Sequence, residues 1–264
     1  MITIKSRREF VKMQKAGAAV AAIHQAVREA AGPGVSLLDL EAISARILEE
    51  RGCKSSFLGY HDSYPATLCL SPNDVIVHGI PSAHRLEEGD ILSVDAGAIY
   101  EGFHGDAAFT MAIGSVSDEA RRLIDVTEEA LWAGVREVRK GNHLGDIGAT
   151  IQEVGEASGF GVVEEYVGHG IGRHMHEEPQ VPNYGQRGQG LRLRSGMALC
   201  IEPMFNLGSR RTTVDADGWT VRTQDGSLSA HWEHTVCLTP DGSQVFTAGE
   251  APIPVEFEES AVRG

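Results

Sequence analysis

Ile91-Leu92-Ser93-Val94-Asp95-Ala96-Gly97-Ala98-Ile99-Tyr100-Glu101-Gly102-Phe103-His104-Gly105-Asp106-Ala107-Ala108-Phe109-Thr110-Met111-Ala112-Ile113 is the stretch on which the fold turns. Branched, aromatic and small residues run along both sides of a turn near Tyr100 to Gly102, so it reads as two strands, 91–100 and 103–113. A hairpin centred between Tyr100 and Glu101 sets Asp95 opposite Asp106. Two carboxylates facing one another across half-buried strands repel and raise each other's pKa unless a cation lies between them. Solvent-facing aspartates are the ordinary alternative; the small and apolar neighbours Val94, Ala96, Ala107 and Ala108 favour burial.

Working outward, Phe10, Met13, Ala16, Val20, Ile23 and Val27 recur at helical spacing up to Gly32-Pro33-Gly34. Ser36 then stands three residues before Asp39, a capping-box start, and Leu37, Leu40, Ile43 and Ile47 continue helically to Gly52. Short strands follow at 67–70 and 74–78, then the hairpin. A second pair of helices opens at Ser117-Asp118-Glu119 and at Leu144, the latter closing before Gly159. Strands resume, and Asp217-Gly218, Asp225-Gly226 and Asp241-Gly242 punctuate an expected meander of antiparallel strands ending near Thr247. The order helix, helix, strands thus occurs twice. Leu37-x-Asp39-Leu40-x-Ala42 is echoed by Leu144-x-Asp146-Ile147-x-Ala149, an offset of 107. Chance agreement between two capped amphipathic helices is one reading of the echo. The other is an α+β fold with a pseudo-two-fold axis and a site at the join. The expected organisation is one catalytic domain over 1–249 and a mobile tail over 250–264, where Pro and Glu gather.

The residues with chemistry lie where strands end or turn. Val167-Gly168-His169-Gly170-Ile171-Gly172-Arg173-His174-Met175-His176 sets three histidines among glycines, with neither the Gly-x-Gly-x-x-Gly nor the His-Glu-x-x-His spacing. Glu202 closes the apolar strand Met197–Ile201 immediately before Pro203. Glu233 sits between Trp232 and His234 in a strand read as half-buried, where a metal or a salt bridge must partner it. Together these make four carboxylates and one imidazole, a set able to hold two metal ions ~3.5–4 Å apart for hydrolysis. Such an oxygen-rich set suits Mn, Fe or Co at least as well as Zn.

Composition limits the alternatives. With 23 basic against 37 acidic residues the net charge is −14, which disfavours specific nucleic-acid or anionic-membrane binding. No apolar run approaches the ~20 residues of a membrane span. The four cysteines form no Cys-x-x-Cys pair and the start lacks a signal-peptide core, so the cytoplasm is the expected location.

The motifs Ser93-Val94-Asp95 with His104-Gly105-Asp106, Gly168-His169-Gly170-Ile171-Gly172, Ile201-Glu202-Pro203 and Trp232-Glu233-His234-Thr235-Val236 resemble those of type I methionine aminopeptidases, over about Ile4 to Thr247. The resemblance implies the pita-bread (creatinase/aminopeptidase) fold, an α+β architecture of two pseudo-symmetric helix-helix-strand halves around an antiparallel sheet. It implies removal of the initiator methionine from nascent chains, preferentially before a small second residue, by water activated between two divalent ions (Co, Mn, Fe or Zn). Asp95 would bind one metal, Asp106 and Glu233 would bridge both, and His169 and Glu202 would bind the other. Glu202 would also shuttle the proton, and His78 and His176 would contact the scissile amide. Phe57, Tyr60, Tyr64, Cys69, Met175 and Trp219 would line the methionine pocket, where soft and aromatic groups suit a thioether. A monovalent-cation site on the backbone carbonyls of Asn73, Val75 and Ser229 is implied as well, as are transient ribosome contact and a monomer. Two departures are visible: one extra residue between Tyr60 and Pro65, and His174 where glycine is common. Neither touches a ligand position.

Two competitors remain on the sequence. A proline-directed aminopeptidase of the same fold usually carries a large N-terminal domain, for which the chain leaves no room. A non-catalytic pita-bread binding protein would have lost ligands, and all five positions are filled.

Overall fold

A computed structural model describes residues 2–255. Helices α1 (Arg7–Ala30), α2 (Leu37–Glu50), α3 (Asp118–Glu137) and α4 (Leu144–Ala157) stand where the periodicity puts them. Ser6, Ser36 and Ser117 cap the first three, each side chain accepting the N–H three residues on. Phe10, Met13, Ala16, Val20, Ile23 and Val27 are all buried and lay α1 across the hairpin. The approach is close: a Cβ on Gly105 would come within 2.8 Å of the Gly17 nitrogen.

Among the described residues the strands pair antiparallel in four sheets. In the largest, Ala198–Ile201 lies between Gly168–Gly170 and His234–Thr239. In another, Ile91–Tyr100 pairs with Leu68–Pro72, with Lys54–Ser55 and with Phe103–Ala112. The two halves repeat each other in hydrogen bonds as well as in sequence. Leu37 N–H donates to His84 O and Leu144 N–H to Leu191 O; Leu86 N–H donates to Val35 O and Leu193 N–H to Asn142 O. The bridges Ser36↔Arg85 and His143↔Arg192 keep the same offset of 107, so the echo marks a real internal repeat. It pairs Asp95, in the middle of Ile91–Tyr100, with Glu202, immediately after Ala198–Ile201.

Three expectations need correction. The hairpin register is Gly97↔Asp106 and Asp95↔Ala108, so the aspartates are diagonal rather than opposite. The turn is Glu101-Gly102, with φ 46° and 78° between the paired Tyr100 and Phe103. This double positive φ is the type I′ geometry that matches strand twist. The slip is an even number of residues, so both carboxylates keep one face. The C-terminal strands are not one meander: Val221–Thr223, Ser229–His231 and His234–Thr239 belong to three different sheets. Glu233 therefore lies at a break between strands, where the chain crosses from one sheet to the next. Within the stretch expected as a tail, Ile253–Pro254 pairs with Gly242–Val245, and 256–264 lie outside the described residues.

Candidate metal centre

The joint between the halves is a set of hydrogen bonds. Glu233 N–H donates to Ala108 O at 2.8 Å, Asp106 N–H donates to Thr235 Oγ1 at 3.0 Å, and Thr235 Oγ1–H donates back to Asp106 O at 2.8 Å. Asp106, from the first half, is thereby locked beside Glu233 from the second. Gly97, opposite Asp106, offers no side chain, and Ser56 and Phe57 close over it so tightly that a Cβ there would lie 2.7 Å from Ser56.

His169 Nε2 is 3.6 Å from Glu202 Oε1 and 3.8 Å from Asp106 Oδ2. Ligand atoms of Asp106, His169, Cys200 and Glu233 all fall within 4.8 Å of one another. Asp106 and Glu233 are each 2% exposed. Burial, then the neighbouring carboxylates, hold Asp95, Glu202 and Glu233 well above the ordinary carboxylate range. Burial also raises Asp106 to about 7. His169 is driven down to about 3, first by burial and then by His176, so its imidazole is neutral. With its Nδ1 2.9 Å from Gly170 O, the Nε2 lone pair faces the carboxylates. Asp95 Oδ1, Asp106 Oδ1 and Glu233 Oε1 are buried without hydrogen-bond partners. A crowd of buried carboxylates with unpartnered oxygens beside a neutral imidazole fits a divalent cation, which relieves both repulsion and desolvation.

Cys200 was not in the predicted set. It lies two residues before Glu202 and thus on the same strand face. Burial and the charges of Glu233 and Asp106 raise its pKa, so it keeps its proton beside Glu233. It stands as a protonated neighbour of the carboxylate cluster.

Every residue predicted to bind metal or substrate lines one cavity of about 490 Å³. Its apolar end is a separate cluster in which Phe57, Tyr64, Cys69 and Met175 meet Ala66, with Tyr60, Ile80 and Trp219 against them. The Phe57–Tyr64 and Tyr64–Trp219 rings meet edge to face at 6.4 and 5.1 Å. His78 occupies the left-handed region at φ 60°, a strained backbone of the kind that collects at functional sites. The His176 ring stands 4.2 Å from that of His169, and its Nδ1 is 2.5 Å from Tyr60 Oη. Sequence reasoning missed His61, Val77, Tyr166, Val167 and His231 in the lining. Only His231 left a usable signal, standing two residues before Glu233. Of the suggested cation carbonyls, Asn73 O already accepts Ser229 N–H at 2.9 Å.

The loop carrying Met175 and His176 is pinned from outside. Glu177 accepts N–H groups of Arg173 at 2.8 Å and His174 at 3.2 Å, Lys5 Nζ at 2.9 Å, and the Thr3 hydroxyl. Burial acts to raise its pKa, but these donors, Lys5 foremost, hold it at about 2. Glu177→Ala is expected to cost about 3–5 kcal/mol in urea unfolding, because Lys5 is left buried without its partner. A carboxyl depressed in the folded state contributes fully above its unfolded value of 4.5 and loses that contribution as pH falls through about 2. The gap between wild type and variant should therefore narrow over that range and stay constant above it.

A family model described as metallopeptidase family M24 matches residues 11–240. The chain is 47% identical over 251 residues to a methionine aminopeptidase of Clostridium acetobutylicum, covering 95% of this chain and 100% of that one. It superposes on the crystal structure of a methionine aminopeptidase from Thermotoga maritima with a TM-score of 0.91 and 44% identity, covering 94% and 99% of the two chains. Likeness to a prolidase from Pyrococcus furiosus is one of fold: TM-score 0.74 at 22% identity, over 93% of this chain and 65% of that one.

Proposed function

From the premise that the chain belongs to metallopeptidase family M24, we propose that it is an aminopeptidase releasing the N-terminal methionine of nascent polypeptides, preferentially before a small second residue. One observation carries this reading. The buried carboxylate–imidazole cluster lies in the same cavity as an aromatic and sulfur-lined apolar cluster, whose soft and aromatic groups suit a thioether side chain.

Asp95, Asp106, His169, Glu202 and Glu233 are the residues that would hold two divalent ions. When bound, such ions supply Lewis acidity and a nucleophilic water at neutral pH. The chain's own groups do the rest. Glu202, whose proton affinity is raised by burial and then by Asp106 and Asp95, takes a proton from the attacking water and delivers it to the leaving amine. Tyr60 keeps its proton, its pKa raised by burial and then Asp106, and so donates to His176 Nδ1. His176 is left with Nε2–H as its free donor, aimed at the scissile carbonyl. His78, neutral through burial and then His176, acts beside it on the same amide.

The four cysteines are free, which accords with a reducing cytoplasm where nascent chains emerge, and no helix among the described residues is long and apolar enough to cross a membrane. We take the working unit to be a monomer that meets the ribosome transiently.

The test is hydrolysis of Met-Ala-Ser and Xaa-Pro-Ala peptides by metal-stripped protein titrated with Mn, Fe, Co or Zn. Methionine release restored by metal is the expected result. Cleavage only before proline would transfer the chain to the proline-directed activity, and no cleavage in the metal-loaded protein would leave a binding protein.

A further inference from the structure

We propose that His231 is a positioning residue for Glu202, donating from Nε2 to the carboxylate oxygen that faces away from His169. The inference rests on the proposed function above and adds a residue to its machinery. His231 is 2% exposed, lines the central cavity, and its Nε2 has no hydrogen-bond partner. Glu202 Oε2 lies 3.9 Å from that nitrogen, while Oε1 lies 3.6 Å from His169 Nε2. Glu202 thus stands between two imidazoles, one to each oxygen.

The fold goes to some length to put the ring there. Met204 pairs with His231, and Trp232 N–H donates to Pro203 O at 3.2 Å, so the residues directly after Glu202 are tied at two successive positions to the segment carrying His231. The His231 backbone is clamped by one hydroxyl: its N–H donates to Thr110 Oγ1 at 2.9 Å and its carbonyl accepts from the same group at 2.8 Å. Ser93 Oγ, 2.8 Å from Thr110 Oγ1, completes that hydroxyl. Ser93 and Thr110 belong to the strands that carry Asp95 and Asp106, so the imidazole is referenced to the same hairpin as the ligands.

A buried ring nitrogen without a partner is costly to leave unsatisfied. A fold that holds it rigidly, facing a carboxylate at 3.9 Å, has a donor poised for an acceptor that moves little. Catalytic hydrogen bonds are often long in the free enzyme and tighten when substrate binds. Closing this one fixes the Glu202 rotamer, engages Oε2 and leaves Oε1 for the ligand and proton-transfer work. Partners that orient metal-binding side chains in this way are worth about 10–100-fold in metal affinity or activity.

The experiment compares His231→Gln, His231→Asn and His231→Leu with wild type, reading kcat and KM on Met-Ala-Ser and, separately, Mn affinity by calorimetry. A glutamine amide reaches to the position of Nε2, an asparagine amide only to that of Nδ1. The expected result is a fall of about 10–100-fold in kcat for Leu and Asn with KM little changed, a parallel weakening of Mn binding, and recovery of both by Gln. Unchanged kcat and Mn affinity in His231→Leu would overturn the proposal. So would equal values for Gln and Asn, a comparison that still decides if the leucine variant does not fold. Failure of wild type to release methionine would sink the proposed function, whereas the Mn titrations would still report on the His231–Glu202 contact.

Discussion

Glu202→Gln is expected to lower methionine release by about 10²–10⁴-fold, the range for loss of a positioned acid–base group. The amide keeps the shape of the side chain at the end of strand Ala198–Ile201, so packing around Met204 and Asn183 is preserved; Asn183 binds the Glu202 backbone carbonyl, at 3.0 Å, and not the carboxyl. What disappears, on the proposed reading, is the group that accepts and returns a proton, together with one ligand charge. Metal analysis separates the two losses. A variant that retains metal and still turns over at the wild-type rate would remove Glu202 from the chemistry, and a variant that regains full rate with excess metal would make it a ligand alone.

Stripping the metal should make the protein lose stability as pH rises from 6.5 through about 7. Asp106 has its folded pKa raised from 3.8 to about 7, and Asp95, Glu202 and Glu233 are raised well above the usual range, burial being the first cause for each. A carboxyl raised in the folded state binds its proton there and not in the unfolded chain. Stability therefore falls with pH through the interval between the two values. The buried histidines oppose this lower down: His169, His231 and His78 are depressed to about 3, 3 and 4 from 6.5, so they add stability as pH rises toward 6.5 and nothing above it. Only the carboxyls remain in the window chosen. Each retained proton is worth about 1.4 kcal/mol per pH unit, or about 2–4 °C in Tm for a chain of this size. Divalent metal displaces those protons and binds more tightly at higher pH, so the Tm gain on adding Mn should widen across the same window; where Mn stands at 1,000-fold excess over Kd the stabilisation is about 4 kcal/mol. Calorimetric scans of both forms at several pH values check this; a flat metal-free Tm with a constant gain would contradict the buried, mutually repelling carboxylates.

The helices were legible because their signals are local. Ser36 and Asp39 sit three residues apart on one turn, and six apolar residues of α1 repeat along one face, whatever surrounds them. The repeat was legible for the same reason, although only its hydrogen bonds distinguish it from coincidence. The site residues could be singled out because carboxylates beside Gly, Pro or apolar strand residues are out of place there, and because their motifs resemble a family's. The hairpin register was misjudged by one position of the turn, since Glu101 gives no sign that it will accept the left-handed conformation normally left to glycine. The C-terminal strands were misjudged because Asp-Gly marks a turn without saying which sheet receives the next strand.

By itself, then, the sequence determined the element types, the twofold order of the fold and the side chains out of place in their strands. Tertiary structure alone decided that Asp106 and Glu233 share a wall through Thr235 and Ala108, that one cavity holds both the carboxylate and the aromatic cluster, and that His231 faces Glu202. The physical reason is range. Caps and periodicities act over three or four neighbours along the chain, whereas repulsion, desolvation and hydrogen bonding at the centre join residues far apart along it, 29 positions for His231 and Glu202 and 129 for Asp106 and Thr235, which meet only when the chain has folded.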